Sequence, residues 1–275
     1  MKRLLITDLD DTLYDWLGFF IPSFYAMIDE VVKITGIPKE ILIEEYKTKH
    51  QYYGSVEYPF VTLELPSVLK KYQDLTTCEI KEVLSEAFHR FNSVRKEKLK
   101  LYEGVENTLK ELFENNVVII GYTESSQENG FYRLKKLGIE KYFKTVYVSS
   151  SNYENNYPVS EKIKVVSTKK PNKEVLLNIC NCEHCTTDET IYIGDSLTKD
   201  IYMANMADIT SVLIKHPKEK NDFYSKLVDI TSWTQDDFQR ESKIKEECET
   251  RGIYPDYTVH KFAELINIIN GFLSV

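Results

Sequence analysis

The 275-residue chain is long enough for one large domain or for a core domain with a second one inserted, and its 42% hydrophobic residues can fill a real core. A formal net charge of −8 removes the electrostatic case for a nucleic-acid partner and gives anionic ligands no general attraction, so a phosphate site here must be locally positive or metal-filled. No run of about 20 apolar residues marks a membrane span, the apolar stretch after Met1-Lys2-Arg3 stops at Thr7-Asp8 before a signal-peptide core is complete, and five mostly clustered cysteines do not make a disulfide framework; a protein of the reducing cytoplasm, without a membrane partner, is expected.

Short apolar runs alternate with helical patterns along the chain, which predicts an α/β fold, a Rossmann-like parallel sheet with flanking helices. The predicted strands are Arg3–Asp8, Val117–Tyr122, Thr145–Ser149, Thr190–Gly194, Ser211–Ile214 and Tyr257–Val259. Residues 16–101 break the rhythm with helical patterns alone. Phe20, Phe24, Met27, Ile28, Val31 and Val32 keep helical spacing until Gly36. Thr76 and Glu79 read as a capping box, followed by an apolar stripe of Ile80, Val83, Leu84, Ala87, Phe88 and Phe91. The expected organisation is a core domain of 1–15 and 102–275 and a helical domain of 16–101. A helix is expected from about Asn129 to Leu137, stopped by Gly138. Ser150 to Lys169, polar and rich in Ser, Asn and Tyr, reads as a long loop. Lys215 to Pro255 separates the last two strands and carries a charged helical stretch from about Gln235 to Thr250.

The residues that suggest chemistry stand at strand ends. The first strand runs out as Asp8-Leu9-Asp10-Asp11-Thr12-Leu13, and ligands of open α/β sheets bind at that edge. If extended geometry persists, Asp8 and Asp10 point to one side, and a cation would relieve their repulsion; a solvated acidic loop is the plain alternative. The second strand ends at Thr123, whose hydroxyl suits a phosphate oxygen or an ordinary cap. Lys170-Pro171 precedes a helical pattern, where a lone lysine is usually a solvated surface residue. The fourth strand enters Gly194-Asp195-Ser196-Leu197-Thr198-Lys199-Asp200, in which Gly194 lets the backbone approach a ligand and Asp195 and Asp200 add carboxylates. Asp200 also fits a helix N-cap. Oxygen ligands with open water positions suit Mg²⁺.

Taken in order, Asp-Leu-Asp-Asp-Thr-Leu, a strand ending in Thr123, Lys170-Pro171 and Gly194-Asp195-Ser196-x-x-x-Asp200 resemble the haloacid dehalogenase superfamily, in its phosphatase branch with a helical cap inserted between the first and second motifs. The resemblance covers about 1–15 and 102–214, with a final strand and helix at 256–274. It implies that Asp8 is the nucleophile and a Mg²⁺ ligand. Asp10 would protonate the leaving oxygen, deprotonate the attacking water and bind the metal through its backbone carbonyl. Thr123 would hold phosphoryl oxygens, Lys170 would balance charge between Asp8 and the phosphate, Asp195 would complete the metal site, and Asp200 would orient its neighbours. Relatives that displace halide usually lack the second aspartate, so Asp10 favours phosphoryl chemistry. Asn115-Asn116 and Asp208 stand where the superfamily often has glycine, and neither touches the reaction.

The activity implied is a Mg²⁺-dependent phosphatase acting on a small phosphorylated metabolite, a nucleoside monophosphate or a sugar phosphate, through a phosphoaspartate. A sugar phosphomutase and a catalytically silent binding protein on the same fold are the alternatives. Nothing in the sequence sets the oligomeric state. Cys180, Cys182 and Cys185, with His184 between, supply three thiols and no fourth ligand at zinc-finger spacing, and read as reduced cysteines beside the core. Tyr52, Tyr53, Tyr58 and Phe60 suit either stacking on a nucleobase or packing in a helical core, and Trp16, Phe19 and Phe20 either a gate or hinge packing.

Overall fold

A computed structural model describes residues 2–58, 60–150, 160–217 and 222–271. The chain divides into two compact units. One comprises Met1–Asp15, Lys100–Lys218 and Arg240–Val275; the other comprises Trp16–Leu99 and Glu219–Gln239. No helix among the described residues is long and apolar enough to cross a membrane.

The first unit is built on a seven-stranded sheet: β1 (Leu4–Thr7), β2 (Val118–Ser126), β3 (Thr145–Ser149), β4 (Ile163–Val166), β5 (Thr190–Gly194), β6 (Thr210–Ile214) and β7 (Tyr257–Val259). All neighbours pair in parallel, in the order β4-β3-β2-β1-β5-β6-β7. Parallel strands covered on both faces must be apolar throughout, and β1 and β5 are buried at every position. Leu4, Ile6, Tyr122, Tyr192, Leu176 and Met203 meet in one apolar cluster. The chain steps outward from β1 to β4, then returns to the other side of β1 with β5. That reversal places a topological switch point between β1 and β5, and the C-terminal ends of these strands are where such sheets hold ligands.

Five of the six expected strands lie within a few residues of their predicted bounds, and Val118–Ser126 runs four residues beyond its expected end at Tyr122. The expected loop 150–169 contains β4, an edge strand whose middle residues Lys164 and Val165 are exposed, so its four residues lack the buried run that marks a central strand; the part of that loop at 151–159 lies outside the described residues. The helix expected from Asn129 begins earlier, with a π-helical turn Gln127–Phe131 leading into Tyr132–Lys136. Gly138 follows at φ 73°. Asn116 and Asp208, at φ 59° and 54°, take the left-handed conformation that glycine adopts most easily.

The second unit packs the helices Trp16–Thr35, Lys39–Tyr53, Pro66–Lys71, Thr77–Val83 and Ser85–Lys98. Thr76 and Glu79 form the expected capping box. The stripe from Ile80 to Phe91 is broken: Leu84, fully buried, takes φ −93° and ψ 9°, so one helix stops and another starts around it. Val83 is consequently exposed. Residues 219–239, expected with the core domain, belong to this helical unit. Side chains of its first two helices hold their backbone: the Tyr25 hydroxyl donates to the Lys226 carbonyl at 3.0 Å, His50 Nδ1 to Ile230 at 2.7 Å and Gln51 Nε2 to Trp233 at 3.0 Å. Phe19 and Phe20 are buried in the unit, with Trp16 stacked on Phe20 at 4.9 Å. Tyr53 and Tyr58 stack at 4.0 Å and share Glu64, while Tyr52 is exposed, so these tyrosines form a surface stack and not a core.

Candidate active site

The sheet brings Asp8, Asp10, Thr123, Lys170, Asp195 and Asp200 to one edge. Asp8 directly follows β1, and its N–H donates to the Ile193 carbonyl at 2.9 Å, which extends the ladder to β5. Its Oδ1 accepts from Lys170 Nζ at 2.6 Å and its Oδ2 from Thr12 Oγ1 at 3.2 Å. Lys170 is 4% exposed, far from the solvated lysine that its sequence position alone suggests. Its three donors are spent on Asp8, on the Tyr192 hydroxyl at 2.8 Å and on Asp200 Oδ1 at 2.9 Å. Burial alone would lower the Lys170 pKa, but Asp200 and Asp8 outweigh it and hold the ammonium charged. Burial pushes the Asp8 carboxyl well up, against the pull of Lys170, and the charges of Asp200, Asp195 and Asp10 push it further.

Asp200 is positioned by a second π-helical turn, Leu197–Ile201. It is not the N-cap of that turn: Ser196 is, accepting from the Lys199 N–H. Asp200 Oδ2 instead accepts from the Ser196 N–H at 3.1 Å and Oδ1 from Tyr192 at 2.8 Å. Gly194 makes this possible, because a Cβ there would stand 2.4 Å from the Asp200 carboxylate. The glycine serves close approach of a side chain, whereas the sequence suggested close approach of a ligand.

Asp8, Asp195 and Asp200 present carboxylate oxygens within 4.8 Å of one another, and among the described residues this is the group whose spacing could hold a metal ion. Its donors are all hard oxygens, which fits Mg²⁺ and not zinc. Two buried carboxylates, Asp8 and Asp200, share the Lys170 ammonium, and the exposed Asp195 stands beside them, a set of oxygens that a divalent cation would suit. Cys180 and Cys185 are buried and bond separately, to Thr190 Oγ1 and to the Glu183 carbonyl, and Cys182 is exposed.

Asp10 occupies a distinct environment. Asp11, at φ 55°, turns the chain back so that its N–H reaches the Tyr14 carbonyl at 2.9 Å. Asp10 Oδ1 accepts from Arg133 Nη1 at 2.7 Å; Oδ2 accepts from Ser125 Oγ at 2.7 Å and Thr123 Oγ1 at 3.3 Å. Thr123 is thus committed to Asp10 and to the Ser125 N–H, which it accepts at 3.0 Å. His216 braces the same loop: Nε2 donates to the Thr12 carbonyl at 2.9 Å and the ring stacks on Tyr102 at 3.4 Å.

Sequence reasoning missed Tyr192, Ser125, Arg133 and the pair of Glu124 with Lys199, 2.5 Å apart. Tyr192 left a signal, since strand alternation puts it on the same face as Gly194. Glu124 also accepts from the Lys170 N–H at 3.1 Å, and Arg240 Nη2 donates to the Lys170 carbonyl at 3.4 Å. The charged helix Gln235–Arg251 therefore borders the site through its residues from 240 onward.

Comparison with known proteins agrees with this geometry. A haloacid dehalogenase-like hydrolase family matches residues 5–214. The chain is 24% identical over 222 residues to a glyceraldehyde 3-phosphate phosphatase from Methanopyrus kandleri, covering 79% of this chain and 86% of that one. Its fold is shared with a 2-haloacid dehalogenase from Pseudomonas syringae pv. Tomato (17% identity, TM-score 0.56, 99% and 100% of the two chains). It is shared equally with a HAD phosphatase from Thermococcus onnurineus (19% identity, TM-score 0.56, 98% and 99%). With its motif carboxylates and Lys170 gathered at the switch point of a parallel sheet, the chain belongs to the haloacid dehalogenase-like hydrolases.

Proposed function

We propose that this hydrolase is a Mg²⁺-dependent phosphatase that cleaves a small-molecule phosphomonoester through a phosphoaspartate on Asp8. The observation that carries the reading is the Lys170 ammonium, buried and bonded at once to Asp8 and Asp200, with Asp195 completing a carboxylate set of cation-binding size. Asp8, Asp195 and the Asp10 backbone carbonyl would hold Mg²⁺, with Asp200 beside them. The bound ion would supply positive charge against the phosphoryl oxygens.

Asp8 attacks phosphorus, and Lys170 offsets the repulsion between its carboxylate and the dianion. Asp10 gives a proton to the leaving oxygen as the ester bond breaks. It then takes one from the water that splits the aspartyl phosphate, so hydrolysis proceeds in two easier steps. Thr123, whose hydroxyl donates to Asp10 Oδ2 here, is assigned to the phosphoryl oxygens, to which it would turn when substrate binds. The helical unit is assigned the part of a cap that shields a compact substrate from water. Nucleoside monophosphates and sugar phosphates, triose phosphates among them, are the substrates to test.

The decisive experiment is a Mg²⁺ phosphatase screen over such metabolites, with EDTA controls. Phosphate release that EDTA abolishes and Mg²⁺ restores is expected. Full turnover in metal-free buffer would refute the reading, as would phosphate release that leaves no acid-stable-quench label on Asp8 under single-turnover conditions.

A further inference from the structure

Asp10 is gripped on both carboxylate oxygens, by groups of different chemistry. Arg133 holds Oδ1, and two hydroxyls, Ser125 and Thr123, hold Oδ2. Arg133 Nη1 also lies 3.1 Å from Ser125 Oγ, which ties the two sides together. The Arg133 side chain is 4% exposed, against 23% for Asp10. Burying a guanidinium is strongly unfavourable unless a charge partner is held in good geometry, as for any buried ion. The backbone is shaped to bring it there. The π-helical turn Gln127–Phe131 rotates the start of the following helix so that Arg133 faces inward, while Lys135 and Lys136 on the same helix are exposed. Turns of this kind recur where a side chain must be aimed. Tyr14 closes the cluster. Burial, and then the charge of Asp10, keep its phenol protonated, with Arg133 opposing.

The two oxygens cannot do the same chemistry. A guanidinium only donates hydrogen bonds and keeps its protons, so protonating the oxygen it holds would turn a charge-assisted bond into a weaker one, which disfavours the proton there. A hydroxyl can donate or turn away, so the oxygen it holds can be protonated and deprotonated in place. We propose that Arg133 is a positioning residue that fixes which Asp10 oxygen moves the proton, anchoring Oδ1 and leaving Oδ2 to exchange it. In the first step the Oδ2–H bond breaks and the leaving oxygen takes the proton, as its bond to phosphorus breaks and the Asp8–phosphorus bond forms. In the second, water gives a proton to Oδ2 as its oxygen attacks phosphorus and the bond to Asp8 breaks. Both steps balance with substrate and water alone. The assignment rests on Asp10 being the general acid and base.

The test compares Arg133→Met, Arg133→Lys, Asp10→Asn and the Arg133→Met/Asp10→Asn double variant in single turnovers with Mg²⁺, on an alkyl phosphate and on p-nitrophenyl phosphate. Misplacing a proton donor by about 1 Å is worth ~10²-fold, so Arg133→Met should slow the alkyl ester by about that factor and phosphorylation by the aryl ester by less than about threefold. Arg133→Lys, which keeps the charge on a shorter side chain, should fall between. The double variant should be no slower than Asp10→Asn alone. Equal losses on both esters, or losses that multiply in the double variant, would make Arg133 a structural ion pair and overturn the inference. If Asp10→Asn discriminates between the esters and neither Arg133 variant does, the inference alone fails. If Asp10→Asn does not discriminate, the reading of Asp10 itself fails. Should Arg133→Met not fold, Arg133→Lys carries the same comparison.

Discussion

Two charged clusters stand two residues apart on the same loop, and they are built on opposite principles. Around Asp8, two carboxylates share one ammonium with a third close by, and every Lys170 donor is already used. Around Asp10, one carboxylate meets one guanidinium and two hydroxyls. In the first cluster the carboxylates outnumber the ammonium they meet; in the second a guanidinium already faces the Asp10 carboxylate. Sequence proximity therefore says little about role. What separates a proposed nucleophile from a proposed proton carrier is the charge that surrounds each.

The largest expected effect comes from removing the proposed nucleophile. Asp8→Asn should lower turnover on any phosphomonoester by about 10⁴-fold or more, since an amide neither attacks phosphorus nor neutralises Lys170. Phosphate release measured over hours would detect residual activity above that level and would move the nucleophile elsewhere. Asp10→Asn should be gentler and selective. Alkyl esters should lose roughly 10²–10⁴-fold, the range for general acid–base help, whereas p-nitrophenolate leaves without a proton. With labelled aryl phosphate and an acid quench, label should accumulate on Asp8 because water has lost its base.

Stability should separate the clusters next. Lys170→Met leaves buried carboxylates facing one another, and breaking a buried pair in this way costs about 3–5 kcal/mol. Added Mg²⁺ should restore much of that loss in denaturant melts. The loss from Arg133→Met should not respond to Mg²⁺, because its cluster has no unmet charge to fill. Equal Mg²⁺ responses in both variants would erase the contrast drawn here.

The smallest effect lies in the helical unit, where a buried base has no charged partner among the described residues. His50 is fully buried, donates to the Ile230 carbonyl, and is lowered by burial from 6.5 to about 4, the backbone bond opposing. The unfolded chain binds a proton below about pH 6.5 and the folded one only near pH 4. Stability should therefore fall as pH drops through that interval, by about 3 kcal/mol in all. Thermal melts followed from pH 7 to 4 should lose this slope in His50→Gln; an unchanged slope would assign the effect to other groups.

Much of the sheet was readable because its strands are buried on both faces and so are apolar without interruption, as in Leu4–Thr7 and Thr190–Gly194. Five of the six candidate site residues could be singled out because each stands at or just past a strand end or beside a proline, whereas Asp200 was singled out only by its spacing from Gly194-Asp195. β4 was not, since an edge strand needs no apolar face on its open side. Residues 222–239 were expected with the core domain because part of what ties them to the helical unit is side chains donating to their backbone carbonyls, and carbonyls leave no mark in a sequence. Arg133 was missed because it stands inside a helix beyond a π-helical turn, and nothing in its sequence neighbourhood marks it as facing Asp10. Tyr192 was the one omission that strand alternation could have corrected.

The way the helical unit is assembled limits how it can be transplanted. Its residues come from two separate stretches, Trp16–Leu99 and Glu219–Gln239. A graft that exchanged only the first stretch for another enzyme's cap would leave Ile230, a fully buried side chain, without its surroundings, and would strip Tyr25, His50 and Gln51 from the carbonyls they serve. A chimera aimed at new substrate preference would have to cut the chain at four points and carry both pieces together. Conversely, a recipient scaffold without a second insertion would receive His50 with its Nδ1 donor unsatisfied in an apolar setting, and the transferred helices would be weakened at that spot before any substrate was offered.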